Sequence, residues 1–373
     1  MKKQRKIEHY GLKSHEERFG TEEKCRDYLS QLRWDGQPTC QDPDCGNKYM
    51  NYFLSTRNIW KCSKCKKQFS ITKGTIFEST NLPLTMWFKA IYFFTIHKRG
   101  ISSCQLARDL EIEQRTAWFM LHRLREMLVN NKIILEGEIE VDETYIGPKV
   151  GRDTRLQRQK KKHNIEQNKI YGPTEYMKRK LRGHPIKSHR QKGVTKEVIE
   201  QRKIDKALKG VRRTFEQPVA VLGILQRNGS VHLEVIGKGE SSVTKERVFP
   251  ILNNHISSKS VIFSDQSSLY TSIKKTFKEH KTVNHSIGYV IKGIHINGIE
   301  NLFKHFKKML EGTVFHIRLQ HYNSYLNEHS FRWNVLKKSD REKMDEFLPN
   351  LTGKRLKYGD LISRNFNSLN FAA

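Results

Sequence analysis

Alternating apolar and polar residues in the middle of the chain predict β-strands. In residues 133–147 ("IILEGEIEVDETYIG"), Ile139 and Val141 alternate with glutamates, and Asp142 follows late in the same segment. The stretch 218–237 ("PVAVLGILQRNGSVHLEVIG") contains two apolar runs separated by Asn-Gly, a dipeptide typical of two-residue hairpin turns. We therefore expect one strand followed by a β-hairpin.

Further along, a short apolar run predicts a buried strand that ends in an acidic residue. This run lies within 259–270 ("KSVIFSDQSSLY") and ends at Asp265, and a helix is expected before it near 244–256. In "GIHINGIENLFKHFKKMLEG" (293–312), large apolar residues recur at helical spacing and Glu300 falls in the first turn. The order of elements predicts an α/β fold with a mixed sheet flanked by helices.

Residues 101–128 have the pattern of helix, short turn and helix. Ser102 and Gln105 form a plausible capping box, and Ala117, Leu121 and Leu124 make an apolar stripe on the second helix. This predicts a helix-turn-helix whose second helix offers its opposite face to DNA. An ordinary helical hairpin with a solvated charged face is the alternative. The residues expected on the DNA-binding face are Gln114, Arg115, Trp118, His122 and Arg125.

Four of the six cysteines are clustered in two pairs. Cys40 and Cys45 form the first pair, and Cys62 and Cys65 form the second in "WKCSKCKKQFS". Two knuckles joined by a hairpin would supply the four thiolates that tetrahedral Zn²⁺ prefers, and four protein ligands make the zinc structural. Four unrelated thiols are the alternative. Cysteines that are clustered for metal binding, and not spread along the chain as disulfide partners, indicate a reducing compartment. We therefore expect a cytoplasmic, nucleoid-associated protein, or a nuclear one in a eukaryote.

The charge of the chain indicates a polyanionic partner. Its 373 residues include 69 Lys and Arg against 39 Asp and Glu, a formal net charge of +30. The block 149–213 alone has 22 basic and 6 acidic residues. Nucleic acid is the leading candidate partner; a solvated basic surface of the ribosomal type and an anionic membrane are the alternatives. No apolar run approaches the about 20 residues of a bilayer span, so we expect no membrane insertion.

Three carboxylates could bind metal ions together, although none of them would be a metal site alone. Asp142 and Asp265 sit on predicted strands, and Glu300 begins a helix on which Lys307 lies two turns further along the same face. Separately these are ordinary acidic residues. Converging at a sheet edge, they could hold two Mg²⁺ ions, which prefer oxygen ligands and can promote an in-line displacement at phosphorus.

The chain resembles the ISXO-like insertion-sequence transposases, whose eukaryotic relatives are the Merlin elements. The shared segments, in order, are the zinc ribbon, "KGTIFESTNLPLTMWFKAIYFF", the helix-turn-helix, "VDETYIG", "PVAVLGIL", "VNHS" and "HINGIENLFKHFKK". The resemblance implies an RNase H-like catalytic domain with a DDE triad and a downstream lysine. On these motifs the triad matches Asp142, Asp265 and Glu300, and the lysine matches Lys307.

The expected domain organisation follows from these segments. An N-terminal region and a helix-turn-helix domain precede an RNase H-like domain and a C-terminal tail. The N-terminal region is 1–80, with the ribbon at about 36–72, and the helix-turn-helix domain is 81–130. The RNase H-like domain is 131–345, with the basic insertion 149–213, and the C-terminal tail is 346–373.

The hypothesis is a DNA transposase that binds the terminal inverted repeats of a transposon. With two Mg²⁺ ions, for which Mn²⁺ can substitute, it would cleave double-stranded DNA and join the 3′-OH end to target DNA. Lys304 and Lys308, beside the catalytic Lys307, would contact DNA, and pairing two ends implies a homo-oligomer. The alternatives are a DNA-binding regulator with an inactive nuclease fold, and an RNase H-like nuclease that cuts without joining.

Overall fold

The computed structural model describes residues 10–129, 133–147, 218–270, 273, 276–283, 295–314 and 317–363. The predicted basic insertion 149–213 lies outside the described residues. The chain divides into two compact units. The first comprises Met1–Thr144, Val221–Gly237 and Ser242–Ala373, and it contains every site discussed below. In the second, Tyr145–Ala220 with Lys238–Ser241, the Gly239 N–H donates to the Pro218 carbonyl (2.7 Å).

The N-terminal part is helical, with a small three-stranded sheet inserted. Its elements are α1 (Leu12–Phe19), α2 (Glu22–Trp34), β1 (Tyr52–Leu54), β2 (Ile59–Lys61), β3 (Gln68–Phe69), α3 (Leu84–Ile96), α4 (Ser103–Leu110) and α5 (Gln114–Met127). The small sheet is an antiparallel meander in which Trp60 pairs with both Phe53 and Phe69. Helix α3 is apolar on most of its surface because it is the centre of the helical core, where Phe88, Ile91 and Phe94 are fully buried.

The two helices predicted within 101–128 are present as α4 and α5. Ser102 caps α4, since its hydroxyl accepts the Gln105 N–H (3.1 Å). The Gln105 side chain bonds Asp109 (2.6 Å) instead of closing the capping box.

A five-stranded mixed sheet forms the second part, as the sequence predicts. Its elements are β4 (Glu138–Ile146), β5 (Val219–Gln226), β6 (Val231–Lys238), α6 (Lys245–His255), β7 (Val261–Asp265), β8 (Glu279–Val283) and α7 (Asn297–Thr313). The strand order is β6-β5-β4-β7-β8, with β4 parallel to β7 and β7 parallel to β8. The β5–β6 hairpin turns at Asn228, which adopts the left-handed conformation (φ 60°) that such a turn requires.

The C-terminal helices connect the sheet to the helical core. They are α8 (Tyr322–Asn334), α9 (Asp340–Phe347) and α10 (Tyr358–Ser363). Helix α9 packs on α3, with the rings of Phe94 and Phe347 5.5 Å apart, and Leu351 is fully buried in the same core. Phe347 and Leu351 belong to the segment 346–373 that was expected to be a tail.

Helix α8 also borders the sheet. The side-chain oxygens of Asn334 and Asn323 accept the N–H groups of Val231 and Val235 on the edge strand β6, each at 3.0 Å. In the part of the chain that the structure describes, no helix is long and apolar enough to cross a membrane.

Candidate functional site

Asp142 and Asp265 lie on neighbouring parallel strands. Strands β4 and β7 pair with Glu140 opposite Phe263, and two residues further along each strand the same register reaches Asp142 and Asp265. Asp265 ends β7, as predicted, and its Oδ1 accepts the Ser267 N–H (3.1 Å). Asp142 lies in the middle of β4 rather than late in it, because the strand continues to Ile146.

The pKa of Asp142 is influenced by the other two predicted carboxylates. Burial is the largest influence on this group and raises its pKa to about 8. Negative charge on Glu143, Asp265 and Glu300 contributes to the increase, while the Glu143 N–H, bonded to Asp142 Oδ1 (2.9 Å), opposes it. Asp142 therefore experiences the charge of the other three carboxylates, and we call these four residues the carboxylate cluster. Such a cluster favours the binding of a cation.

Helix α7 carries Glu300 to this cluster because two glycines let the helix approach the sheet. A Cβ on Gly223 of β5 would lie 2.7 Å from the Phe303 ring, and one on Gly298 would lie 2.7 Å from Glu140 Oε2. The same Glu140 oxygen accepts the Ile299 N–H (3.0 Å). A buried carboxylate thus satisfies an amide at the start of α7, where the helix dipole also favours negative charge.

Arg227 balances the charge of Glu140 and ties three segments together. Its Nε donates to Glu140 (3.0 Å), one terminal nitrogen donates to Glu138 (3.0 Å), and the other donates to the His295 carbonyl (2.7 Å). The guanidinium also lies 3.9 Å from the centre of the Phe263 ring. Sequence reasoning did not single out Glu140 or Arg227.

Lys307 lies beside the same strand as Asp142. Its Nζ donates to Thr144 Oγ1 (2.8 Å), and Thr144 follows Asp142 by two residues on one face of β4. Helix α7 therefore carries Lys307 to the strand that bears Asp142. Lys304 and Lys308 are exposed on the same helix.

A fourth carboxylate, Glu143, also belongs to the cluster and was missed from sequence. The buried Tyr270 hydroxyl donates to Glu143 Oε2 (2.5 Å), and this bond partly offsets the burial that raises the pKa of Glu143. The pKa of Tyr270 is raised well above 10, chiefly by burial, so it remains a donor at neutral pH. The signal available was the second acidic residue in "VDETYIG".

The four predicted cysteines form a compact group. Sulfur–sulfur distances are 3.6 Å between Cys40 and Cys65 and 3.7 Å between Cys45 and Cys62, and all four sulfurs lie within 4.8 Å of one another. A tetrahedron with Zn–S bonds of about 2.3 Å has sulfurs about 3.8 Å apart, so the group fits zinc. The longer first knuckle is accommodated by a turn in which the Cys45 N–H donates to the Asp42 carbonyl (3.0 Å).

The predicted DNA-binding face of α5 is only partly exposed. Gln114 and Arg115 in the first turn are exposed, as expected, and Trp118 is half-buried. His122 and Arg125 are only 1% and 3% exposed, so the expectation that they lie on an open face is wrong.

Helix α8 covers that face of α5. The Arg125 Nε donates to Glu328 (2.7 Å), Arg332 donates to the other oxygen of Glu328 (2.6 Å), and the Tyr325 ring lies 4.0 Å from the Arg125 guanidinium. Burial alone would raise the pKa of Glu328, but the two guanidinium groups outweigh it and lower that pKa. Helix α5 therefore has two buried faces, where its apolar stripe indicated one.

Two protein-family models match the chain. Residues 20–68 match the transposase zinc-ribbon domain, and residues 192–334 match the ISXO2-like transposase domain. The second match includes Asp265, Glu300 and Lys307 and begins after Asp142. Together, the zinc-ribbon match and the four-cysteine cluster support a structural zinc.

Similar proteins occur in an archaeon and a bacterium. An uncharacterized protein in transposable element ISH50 of Halobacterium salinarum is 29% identical over 132 residues, which cover 34% of this chain and 43% of the relative. An uncharacterized transposase-like protein of Haemophilus influenzae is 27% identical over 93 residues, 25% of this chain and 75% of the relative. The matched part is thus less than half of the halobacterial relative. No solved structure matches the chain.

The family models and the relatives agree with the motifs and confirm the resemblance that the sequence indicates. In residues 20–68 and 192–334, the chain is similar to the ISXO-like insertion-sequence transposases and their zinc ribbon.

Proposed function

We propose that this protein is a DDE-type DNA transposase, which cleaves DNA at the ends of a transposon and joins the freed 3′-OH ends to target DNA. The observation that carries the proposal is the carboxylate cluster of Asp142, Asp265 and Glu300, with Lys307 along the same helix. The proposed catalytic domain is RNase H-like, within 131–345.

The cluster has the donor chemistry for divalent cations. Burial and the negative charge of its neighbours raise the pKa of the Asp142 carboxyl group to about 8, and a bound cation would stabilise its charged form. In the part of the chain that the structure describes, the carboxylate oxygens of the cluster do not all lie within 4.8 Å of one another. The side chains would therefore draw together around one ion or span two. Mg²⁺ or Mn²⁺ would supply Lewis-acid stabilisation of the attacking and leaving oxygens.

The residues of the chain then have separate roles. Asp142, Asp265 and Glu300 hold the cations, and Lys307 binds a phosphate near the scissile bond as a point charge. Water attacks the phosphodiester at the transposon end and releases a 3′-OH. That hydroxyl attacks a phosphodiester of the target in a direct transesterification, with a target 3′-oxygen as the leaving group.

We assign DNA binding to the N-terminal part of the chain and to exposed lysine side chains of α7. We assign helices α4 and α5 as a helix-turn-helix that, with the zinc ribbon, recognises the terminal inverted repeats. Gln114 and Arg115 read base edges, and Lys304 and Lys308 contact DNA backbone as positioning charges. Buried Arg125 and His122 are left out of this surface. Two copies of the chain would pair the two ends.

The test is a strand-cleavage and joining assay with purified protein, Mg²⁺, a labelled duplex of the element's own end and a target plasmid. Wild type is expected to cut and join. Asp142→Asn and Glu300→Gln should lower the rates of both cleavage and joining. The loss should exceed the about 10- to 100-fold that is typical when a residue that only orients a metal ligand is replaced. Glu311→Gln, on an exposed position of the same helix, is the matched control and should behave as wild type.

Each contrary result has a distinct meaning. If Asp142→Asn cuts and joins as well as wild type, the catalytic assignment is wrong. Specific end binding without cleavage by wild type would favour a DNA-binding regulator, and cleavage without joining would favour a nuclease.

A further inference from the structure

A second group of metal-ligating side chains lies on strand β6 and the end of helix α6. One ring nitrogen of His232, a Glu234 carboxylate oxygen and one ring nitrogen of His255 all lie within 4.8 Å of one another. His232 Nε2 is 3.2 Å from Glu234 Oε2, and the two imidazole rings are stacked with centroids 3.7 Å apart. Neither the carboxylate cluster nor the zinc ribbon includes these residues.

The local backbone holds the three side chains in place. His232 and Glu234 are two residues apart on a strand, so they share one face of the sheet. His255 is the last residue of α6, and its carbonyl accepts the Leu135 N–H (2.7 Å), which fixes the end of the helix beside the sheet.

The hydrogen bonding of His255 selects a metal-binding tautomer. Its Nδ1 lies 3.0 Å from the Ile133 carbonyl, which can only accept, so Nδ1 carries the proton. Nε2 is then left with its lone pair. A histidine that donates through one nitrogen to a backbone carbonyl and offers the other is the usual arrangement of a metal ligand.

We propose that His232, Glu234 and His255 bind a divalent transition metal, of which Zn²⁺ is the best match. Two imidazole nitrogens and one carboxylate oxygen suit zinc, whereas Mg²⁺ prefers oxygen ligands alone. The three side chains are 14%, 36% and 7% exposed, so an ion can enter from solvent and keep water as a fourth ligand. The ion would cross-link the edge strand β6 to the end of α6. β5 separates β6 from the strand that carries Asp142, and this site does not depend on the proposed transposase activity.

The test counts zinc in the full-length chain prepared without a histidine tag. The protein is stripped with a chelator, reloaded with Zn²⁺, dialysed and analysed by elemental mass spectrometry. Wild type is expected to hold two zinc ions per chain. His232→Ala and Cys62→Ser should each hold one, because each removes a different site. His97→Ala is the matched control: His97 Nδ1 contacts the Phe93 carbonyl (2.6 Å) in the same way, but His97 belongs to neither group of ligands, and this variant should hold two.

A second variant and a spectrum keep the result interpretable if His232→Ala folds poorly. Glu234→Gln preserves the shape of the side chain but removes the anionic ligand, and it should also lose one zinc ion. Co²⁺ bound to a variant with all four ribbon cysteines replaced by serine should show ligand-field bands without thiolate charge transfer. Unchanged zinc content in both His232→Ala and Glu234→Gln overturns the proposal. So does a wild type whose zinc is lost entirely in Cys62→Ser.

Discussion

Replacing Glu140 with alanine removes the acceptor that holds the first turn of α7. Two donors lose their partner: the Ile299 N–H and the Arg227 Nε, each at 3.0 Å. Glu140 is 1% exposed and Arg227 is 17% exposed, so water replaces the lost oxygen poorly. The change therefore affects both the stability of the sheet–helix contact and the position of Glu300, the next residue on the helix after Ile299.

The magnitude follows from these two losses. An orphaned buried N–H costs about 1–3 kcal/mol. Removing one partner of a buried ion pair costs about 3–5 kcal/mol. Arg227 keeps Glu138 and the His295 carbonyl, so the second loss is only partial. We expect Glu140→Ala to lower the free energy of unfolding by about 3 kcal/mol.

Glu138→Ala is the matched control because it removes the other carboxylate from the same arginine. Glu138 is 55% exposed, and an ion pair with such a group contributes about 0–1 kcal/mol. Urea unfolding followed by circular dichroism measures both variants. Glu140→Ala should also reduce end cleavage under conditions where it is fully folded, while Glu138→Ala should not. Equal urea midpoints for the two variants would refute the assignment of Glu140 as the anchor of α7.

A Cβ at Gly223 would lie 2.7 Å from the Phe303 ring, so Gly223→Ala should destabilise the protein by about 1–3 kcal/mol. Gly312→Ala, with open space at its Cβ, is the control and should be neutral or stabilising. Equal urea midpoints for the two variants would contradict this packing. Burial lowers the pKa of His329 to about 4, below its usual value near 6.5. The unfolded chain therefore binds more protons at this position than the folded chain between pH 6.5 and 4, and stability should decline as pH falls through that window by up to about 1.4 kcal/mol per unit. In urea titrations from pH 7 to 5, His329→Gln should show a shallower decline, and an unchanged slope would count against the buried neutral imidazole.

Local patterns predicted the elements whose evidence is local. Alternation identified β4, and two apolar runs separated by Asn-Gly identified the β5–β6 hairpin and the position of its turn. The apolar stripe of α7 predicted a helix, which begins at Asn297 because Glu140 accepts an amide of its first turn. Helix α6, expected near 244–256, is observed at Lys245–His255. The cysteine spacing likewise placed all four sulfurs in one group.

Other features were invisible because they depend on residues far apart in the chain. Strand β8 ("EHKTV") has little apolar alternation, and its pairing with β7 defines it as a strand. Glu140 looked like a solvent-facing residue of an alternating strand, yet it is buried under a helix 159 residues later. Arg125 is covered by Glu328, 203 residues away. A hydrophobic pattern cannot show that a polar face has a buried polar partner.

The two asparagines of α8 determine how the edge of the large sheet can be used. Edge strands with free amides are templates for another strand, from a second copy or from a misfolded chain. Here the amides of Val231 and Val235 are already engaged by Asn334 and Asn323. Strand addition at β6 would first have to displace this helix. At this edge, therefore, the sheet would not grow from one molecule into the next.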